Sequence, residues 1–138
     1  MADKISINYK YLLQPTKQQR FTLWKTLQSC RHQYNEGLEL WNECYECCKI
    51  GLNAFMLNEY FKDKYLDVHS QVKQNVNKRL ETSFKSFFDK RTKYPKFKSK
   101  NQYRSFTYPQ SGFKLVNDKR VKLSGIGEMR FVYHRPII

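Results

Sequence analysis

Acidic residues are scarce in the last third of this 138-residue chain. Residues 90–138 contain thirteen Lys and Arg but only two acids, Asp118 and Glu128, which gives this segment a net charge of +11. Residues 1–89 carry thirteen bases and ten acids, a net charge of only +3. Because cations neutralise phosphates and flat rings stack on bases, this composition favours a nucleic-acid-binding surface over a merely solvated basic face. Aromatic residues are interspersed with the cations, among them Tyr94, Phe97, Tyr103, Phe106, Tyr108 and Phe113.

Long apolar runs and a signal peptide are also missing. No run reaches the roughly 18 apolar residues that a membrane span needs. The N-terminus leads directly into alternating sequence rather than into a leader peptide. At 40% apolar and 16% aromatic residues, the chain is too hydrophobic for a disordered basic tail. We expect one cytoplasmic domain, or one domain with an insertion, and no membrane partner.

Metal ligands are too few for a structural zinc site. The pair Cys44 and Cys47 has metal-ligand spacing, but neither a second such pair nor a histidine pair follows it. A structural zinc ion needs four ligands, so we interpret the cysteines as reduced thiols on a helix and expect no metal and no cofactor. The candidate ligands in the whole sequence are Cys30, Cys44, Cys47, Cys48, His32, His69 and His134.

The spacing of apolar residues predicts a strand and then a long helix. Residues 5–13 alternate between apolar and polar positions, which is typical of a half-buried strand. Thr16 and Gln19 match the capping box that begins a helix; Gly37 is expected to bend or break it, and Gly51 to follow its end. We expect one buried face: Leu23, Trp24, Leu27, Cys30, Tyr34, Leu38, Trp41 and Tyr45. The outer face of the second half should point away from nucleic acid because its acids repel phosphate: Glu36, Glu39, Glu43 and Glu46.

Two further helices are predicted before residue 92. Asn53 can cap a short one, and Ser70 can cap a longer one. Their predicted inward residues are Phe55, Leu57 and Phe61 in the short helix, and Val72, Val76, Leu80, Phe84, Phe87 and Phe88 in the longer one. The opposite face of the longer helix is predicted to be exposed and to present side chains that suit base edges or phosphates: Lys73, Gln74, Asn77 and Lys78. An ordinary solvated face remains the alternative.

The period changes after Arg91. Residues 94–100 contain Pro95 and show no alternation, so they form a basic loop. Four short strands are predicted at 103–108, 113–116, 120–123 and 129–134, with turns between them. The fold class is therefore α+β. The simplest architecture is a small oligonucleotide-binding-like β-barrel whose first strand (1–15) is separated from its remaining strands (93–138) by a helical insertion (16–92).

Several local patterns in a fixed order resemble one known family. They are Tyr11-Leu12-Leu13-Gln14-Pro15-Thr16-Lys17-Gln18-Gln19, Cys30-Arg31-His32-Gln33-Tyr34-Asn35, Leu80-Glu81-Thr82-Ser83-Phe84-Lys85-Ser86-Phe87-Phe88, Tyr94-Pro95-Lys96-Phe97-Lys98-Ser99-Lys100, Ser105-Phe106-Thr107-Tyr108-Pro109 and the C-terminal Gly127-x-Met129-Arg130-Phe131 with His134-Arg135-Pro136. Together they resemble the N-terminal region of TnpB, also called OrfB, the transposon-encoded RNA-guided DNA nuclease family related to type V CRISPR effectors. The resemblance covers about residues 4–136.

The resemblance implies a split wedge domain interrupted by a helical recognition domain. In the family these parts hold a guide RNA scaffold and read a short transposon-adjacent motif on duplex DNA. The expected motif-reading residues are Lys73, Gln74, Asn75, Asn77 and Lys78, and amide side chains among them can pair bidentately with adenine. The residues expected to contact RNA or nucleic-acid backbones are Lys93, Tyr94, Lys96, Phe97, Lys98, Lys100, Tyr103, Arg104, Lys114, Arg120, Lys122, Arg130 and Arg135.

The family's RuvC-type nuclease domain, with its two-metal carboxylate site, has no counterpart in this sequence. We therefore expect a binding module that holds guide RNA and duplex DNA but is not itself an enzyme. One alternative is a subunit that works with a separately encoded RuvC-type nuclease half. Another is a stand-alone DNA-binding regulator of a transposon that needs no RNA.

Overall fold

The computed structural model describes residues 5–136, and it has an α+β fold of three helices and one antiparallel sheet. The class predicted from the sequence is therefore confirmed. The elements are β1 (Leu13–Gln14), α1 (Lys17–Cys48), α2 (Ala54–Tyr60), α3 (Ser70–Phe88), β2 (Phe113–Asn117), β3 (Arg120–Leu123) and β4 (Gly127–Phe131). The division into three sequence segments stays a prediction.

Helix α1 begins at the predicted capping box and runs without interruption for 32 residues. The Thr16 hydroxyl accepts the Gln19 backbone N–H at 3.2 Å, and the Gln19 side chain accepts the Thr16 N–H at 2.9 Å. Gly37 does not break the helix. A Cβ there would lie 2.9 Å from a Leu80 methyl carbon, so this glycine allows α1 and α3 to approach closely. The helix ends before Gly51, because Lys49 adopts the left-handed cap conformation instead.

The three helices enclose the main hydrophobic core. Apolar residues at helical spacing are buried as predicted in α1 (Cys30, Tyr34, Leu38, Trp41), in and after α2 (Leu57, Phe61) and in α3 (Val72, Val76, Leu80, Phe84). Four predicted core residues are exposed instead: Trp24, Tyr45, Phe55 and Phe88. Trp24 lies six residues from Cys30 and therefore about 120° away around the helix, off the core face. Tyr45 and Phe88 lie in the last turns of their helices.

The helix caps match the sequence closely, with one shift. Asn53 caps α2 by accepting the Met56 backbone N–H at 2.9 Å. The cap of α3 is His69 rather than Ser70, and its Nδ1 accepts the Gln71 N–H at 3.2 Å. Both side chains satisfy a backbone donor that would otherwise lack a partner at the helix start.

The sheet is open, so the expected closed barrel is not confirmed. Its strand order is β1-β4-β3-β2, with every pair antiparallel. Strand β3 has its predicted bounds, whereas β4 begins and ends earlier than predicted, and β1 covers only the end of the predicted residues 5–13. Residues 1–4 and 137–138 lie outside the described part of the chain.

The predicted strand at 103–108 is not a strand. This segment lies against the helices instead, where the Arg79 guanidinium donates to the Ser105 carbonyl at 2.8 Å and to the Thr107 hydroxyl at 2.9 Å. The Tyr103 ring is buried in the helical core. The prediction was wrong because contacts with helix α3 replace the strand pairing that the alternation suggested.

Candidate nucleic-acid interface

The sheet has one charged face and one apolar face. In an antiparallel sheet, directly opposed residues point to the same side, and successive residues alternate between sides. The register therefore places seven polar or charged residues together on one face: Gln14, Lys114, Asn117, Arg120, Lys122, Glu128 and Arg130. The other face carries Leu13, Phe113, Leu115, Val121, Leu123, Met129 and Phe131. We call the first of these the cationic face.

Like charges oppose each other directly across the strands of the cationic face. Lys114 is opposite Lys122, and Arg120 is opposite Arg130. Glu128 is the single acid on this face and lies 4.0 Å from Arg120 at its closest side-chain atoms. Opposed like charges destabilise a sheet, and Glu128, which is directly opposite Lys122, offsets part of this repulsion.

An open cleft of about 590 Å³ lies where the cationic face meets the turn after β2. Its lining includes Arg120, Arg130, Lys119 and the amides of Gln14 and Asn117. These groups are hydrogen-bond donors at close quarters, and such donors suit phosphate oxygens. Asp118 is the one acid in the lining, and it lies at the tip of the turn between β2 and β3.

The basic loop is fixed to helix α1 by its backbone, which leaves several of its cations free to face solvent. The Lys98 carbonyl accepts from the Asn35 amide at 2.9 Å and from Arg31 at 3.2 Å, and the Lys98 N–H donates to Asn35 at 2.8 Å. The Lys98 ammonium lies 5.8 Å from the centre of the Tyr34 ring. The exposed predicted contact residues in the loop and directly beside it are Lys93, Tyr94, Lys96, Phe97, Lys100 and Arg104.

Of the three predicted aromatic contact residues, Phe97 is exposed, whereas Tyr94 and Tyr103 pack against other residues of the protein. Phe97 is 54% exposed and has room to stack on a base. Tyr94 is partly exposed, but its ring lies edge-on to Phe84 and Phe87 and its hydroxyl contacts Asn42. Tyr103 is only 4% exposed, and burial raises the pKa of its hydroxyl to about 12. The Tyr103 ring is therefore part of the helical core, and its contact with nucleic acid stays a prediction.

The last predicted contact residue, Arg135, follows the sheet. Its guanidinium lies 5.0 Å from the centre of the Tyr9 ring, and its carbonyl accepts from the Tyr11 hydroxyl. The side chain is exposed beside Tyr9 rather than part of the cationic face. It thus extends the positive surface along the segment that precedes β1.

A cleft of about 280 Å³ lies between α2 and α3, and some of the predicted motif-reading residues line it. Gln74 is exposed at its rim, and Lys73 is half-buried in its wall. The Lys73 ammonium donates to the Lys64 carbonyl, and burial lowers the pKa of this lysine. We call this feature the α2–α3 cleft. Its full lining is Asn58, Glu59, Phe61, Lys62, Ser70, Lys73, Gln74 and Asn77.

Asn77 is 2% exposed, so its predicted exposure is wrong. Its side-chain oxygen accepts from Gln33 at 2.9 Å, and its amide nitrogen donates to Asn58 at 2.8 Å. Asn75 is half-buried, and its side-chain oxygen has no hydrogen-bond partner within the described structure. Lys78 is exposed and forms an ion pair of 2.8 Å with Glu81. Only Gln74 and Lys78 of the predicted set are thus freely exposed on α3.

Arg31, Asn35 and Arg79 are functional candidates that the sequence analysis did not single out. Each uses its side chain to hold residues 98–107 against the helices. Their signal in the sequence was weak, because a cation or an amide on a helix is most often a solvated residue. The segment Arg31 to Asn35 did contribute to the family resemblance, and its place at the base of the loop explains why those residue types are suited to it.

The cysteines do not converge. Cys30 is buried, and burial raises the pKa of its thiol to about 12. Cys44 is half-buried, whereas Cys47 and Cys48 are exposed. Within residues 5–136, no three His, Cys, Asp or Glu side chains form a group that could hold a metal ion. Among the described helices, none combines the length and apolar character that crossing a bilayer requires.

Comparison with known proteins identifies related sequences. The profile of the OrfB/IS605 helix-turn-helix domain matches residues 1–49, a range that in this structure holds β1 and α1. A protein of Escherichia coli strain K12 is 33% identical over 94% of this chain and 34% of its own length; its provisional name is RNA-guided DNA endonuclease InsQ. A Streptomyces pristinaespiralis protein provisionally named RNA-guided DNA endonuclease is 28% identical over 99% of this chain and 36% of its own length.

The chain thus spans about a third of the length of these two relatives. The two matches cover 94% and 99% of this chain. The profile match adds the capping box and the long first helix that the structure shows. The OrfB/IS605 domain match in residues 1–49 and the two relatives support the resemblance of this chain to the N-terminal region of TnpB/OrfB proteins.

Proposed function

We propose that this chain is a nucleic-acid-binding module that holds the guide RNA scaffold of a TnpB-like RNA-guided nuclease. The observation that carries the proposal is the cationic face, where two pairs of like charges oppose each other across neighbouring strands. Folding alone does not account for this arrangement, because each pair is repulsive. A polyanion that lies across the face turns the repulsion into attraction by neutralising all four cations.

The basic loop supports the same function on a second element. Its backbone is fixed by Asn35 and Arg31, so its exposed cations are presented in a defined position and little ordering entropy is lost on binding. Phe97 adds an exposed ring between Lys96 and Lys98. Cations alternating with an aromatic ring suit an RNA whose backbone and unpaired bases are contacted together.

We further propose that the module binds without cutting, and that cleavage belongs to a RuvC-type nuclease domain or to a separately encoded nuclease half. Co-purification with such a partner tests the second arrangement. A stand-alone DNA-binding regulator is distinguished by treating the purified protein with RNase, because a guide-dependent module loses its DNA selectivity and a regulator retains it.

Charge reversal at Lys114 tests the cationic face. Lys114→Glu places an acid opposite Lys122, so the sheet should become more stable by about 0.2–1 kcal/mol while affinity for structured RNA falls. The matched control is Lys85→Glu, which makes the same change in net charge at an exposed site in the last turn of α3. RNA affinity and unfolding are measured on the same preparations. Equal RNA affinity in the two variants would remove the cationic face from the site.

A second function, reading a DNA motif, is favoured by the α2–α3 cleft. Gln74 stands exposed at its rim, with the Lys73 cation in the wall beside it. A side-chain amide can donate to and accept from one adenine at the same time, which suits it to base discrimination. The cleft lies between two helices, and their packing through Asn77 and Asn58 fixes its shape.

The test is a binding competition over duplexes with a randomised short motif, with guide RNA supplied. Gln74→Ala should cost about 1–3 kcal/mol against the preferred motif and little against other duplexes. Lys78→Ala removes a neighbouring exposed cation and should weaken all duplexes alike. An unchanged motif preference in Gln74→Ala would place the readout on another surface.

A further inference from the structure

Phe21 and Trp24 form an exposed aromatic pair on the first half of α1. Phe21 is 61% exposed and Trp24 is 52% exposed. Their ring centres are 6.2 Å apart and their planes meet at 29°, so the two rings are roughly stacked. Large aromatic side chains normally contribute their area to a core, and an adjacent pair left in solvent marks a binding surface.

Cations surround this pair. Lys17, Arg20 and Lys25 are exposed within one turn of it, and no acid occurs anywhere in residues 17–35 of the helix. The remainder of α1, residues 36–48, has the opposite composition, with four acids and no base. The single long helix is therefore divided into a positive first half and a negative second half.

This order of charge opposes the helix macrodipole. The N-terminus of a helix carries partial positive charge and favours acids, whereas the C-terminus favours bases. Helix α1 has no acid in its first turn and no base in its last turn. Helix stability therefore does not explain the arrangement, whereas an anionic partner bound along the first half does.

The pair lies on the same helix as Asn35, which fixes the basic loop. Residues seven apart lie on nearly the same face of a helix, so Phe21, Gln28 and Asn35 form a row opposite the buried face, spaced by about 10 Å per step. Asn35 is the residue that holds the Lys98 backbone. An extended strand of nucleic acid lying along this row would meet Lys17 and the aromatic pair first, and Phe97 and Lys96 of the loop next.

We propose that Phe21 and Trp24 form a stacking site for unpaired bases of a single-stranded nucleic acid, whose phosphates are held by Lys17, Arg20 and Lys25. The inference rests on the proposed nucleic-acid-binding function and adds a second site to it. Unpaired bases are favoured over an apolar protein partner because the patch is small and every charged residue in this half of the helix is positive.

The two tryptophans of the chain allow a direct measurement. Trp41 is buried and stacked on Phe84 with 4.0 Å between ring centres, whereas Trp24 is in solvent. Titration with an oligouridylate and, separately, an oligothymidylate of about 16 nucleotides should therefore quench the fluorescence of Trp24. The quenching should be absent in Trp24→Phe. Tighter binding of the oligouridylate identifies RNA as the preferred strand, and tighter binding of the oligothymidylate identifies DNA.

Affinities of variants separate this inference from the proposed function. Replacement of Phe21 and Trp24 together by Ala should weaken oligonucleotide binding on the order of tenfold for each ring. The matched control is Tyr45→Ala, an exposed ring in the acidic half of the same helix, which should leave affinity unchanged. Thermal unfolding of all variants should stay near that of the parent chain, because these rings contribute little buried area.

If the parent chain binds neither oligonucleotides nor structured RNA, the proposed function itself fails. If it binds them with no change in fluorescence and with unchanged affinity in the double variant, the stacking site is overturned and the cationic face remains. If the double variant loses no more affinity than Tyr45→Ala does, the stacking site is likewise overturned. The stacking site is also overturned if a protein partner binds the parent chain but not the double variant, while oligonucleotide binding does not distinguish the two.

Discussion

Three amide side chains form a hydrogen-bonded chain through the interior of the helical layer. Gln33 on α1 donates to Asn77 on α3, and Asn77 donates to Asn58 on α2. Gln33 also donates to the Lys73 carbonyl at 2.9 Å. Helix α3 is therefore joined by polar contacts to both α1 and α2. Amide geometry in this position selects one relative placement of the three helices, and so sets the α2–α3 cleft.

Asn77→Ala should therefore destabilise the protein. It removes two hydrogen bonds and leaves the partners on Gln33 and Asn58 unsatisfied, at a cost of about 1–3 kcal/mol in the free energy of unfolding. The control is Gln74→Ala, three residues away and exposed, which should change stability by less than about 0.5 kcal/mol. Urea unfolding measures both. A loss in Asn77→Ala no greater than in Gln74→Ala would contradict a structural role for Asn77.

Glu36 provides a dependence of stability on pH. Burial alone would raise the pKa of this carboxyl, but hydrogen bonds from Lys64 and Tyr65 lower it below its ordinary value of 4.5. A carboxyl whose pKa is lower in the folded protein than in the unfolded chain stabilises the fold at pH values above its unfolded-state pKa. This stabilisation is lost as the pH falls through its folded-state pKa. The stability difference between the parent chain and Glu36→Gln should be constant from neutral pH down to about 4.5, and should shrink below it.

Unfolding at several pH values measures this difference. Glu39→Gln is the matched control, since Glu39 is exposed on the same helix and makes no ion pair among the described residues. A gap between the two variants that persists unchanged at pH 3 would argue against the Glu36 contacts as its source.

At the scale of elements, helix α1 has a well-capped N-terminus but an unfavourable distribution of charge along its length. Its capping box satisfies two backbone groups, yet Lys17 occupies the first helical position, where the macrodipole favours an acid. Lys17→Glu should therefore stabilise the protein by about 0.3–1 kcal/mol and at the same time weaken single-strand binding. Lys25→Glu, in the middle of the same surface, should weaken binding without the gain in stability. Calorimetry measures the stability and oligonucleotide titration measures the binding. A Lys17→Glu chain that binds as well as the parent would contradict the claim that Lys17 favours binding at the cost of helix stability.

Local patterns predicted most of these elements, and long-range contacts account for the misses. The capping box at Thr16, the Asn53 cap and the bounds of β3 follow from neighbouring residues, so the sequence was sufficient for them. The strand predicted at 103–108 depended on a partner strand, and Arg79 provides other contacts instead. The burial of Asn77 was missed for a related reason, because polarity does not reveal that Gln33 and Asn58 on neighbouring helices are its hydrogen-bond partners. Trp24 was assigned to the core although helical periodicity places it off that face.

The candidate site was predictable in its composition but not in its geometry. Charge indicated the basic segment 90–138, and the family resemblance implied the contact residues within it. The sequence did not reveal that Lys114 and Lys122 stand directly opposite each other, because strand register depends on pairing between segments. It also did not reveal the open edge of the sheet, since closure of a barrel requires the first and last strands to meet.

On the scale of the whole molecule, positive charge is spread over the cationic face, the basic loop and the first half of α1, while the acids of α1 lie in its second half. If roughly six phosphates are neutralised, affinity for structured RNA should fall on the order of a thousandfold between 50 and 200 mM salt. A double-logarithmic salt titration measures the slope directly. Lys114→Glu should reduce the slope by about one or more ions, because it removes a phosphate contact, whereas Lys85→Glu should leave it unchanged. A flat plot for the parent chain would mean that these cations are simply solvated, and an equal slope in both variants would move the contacts away from the cationic face.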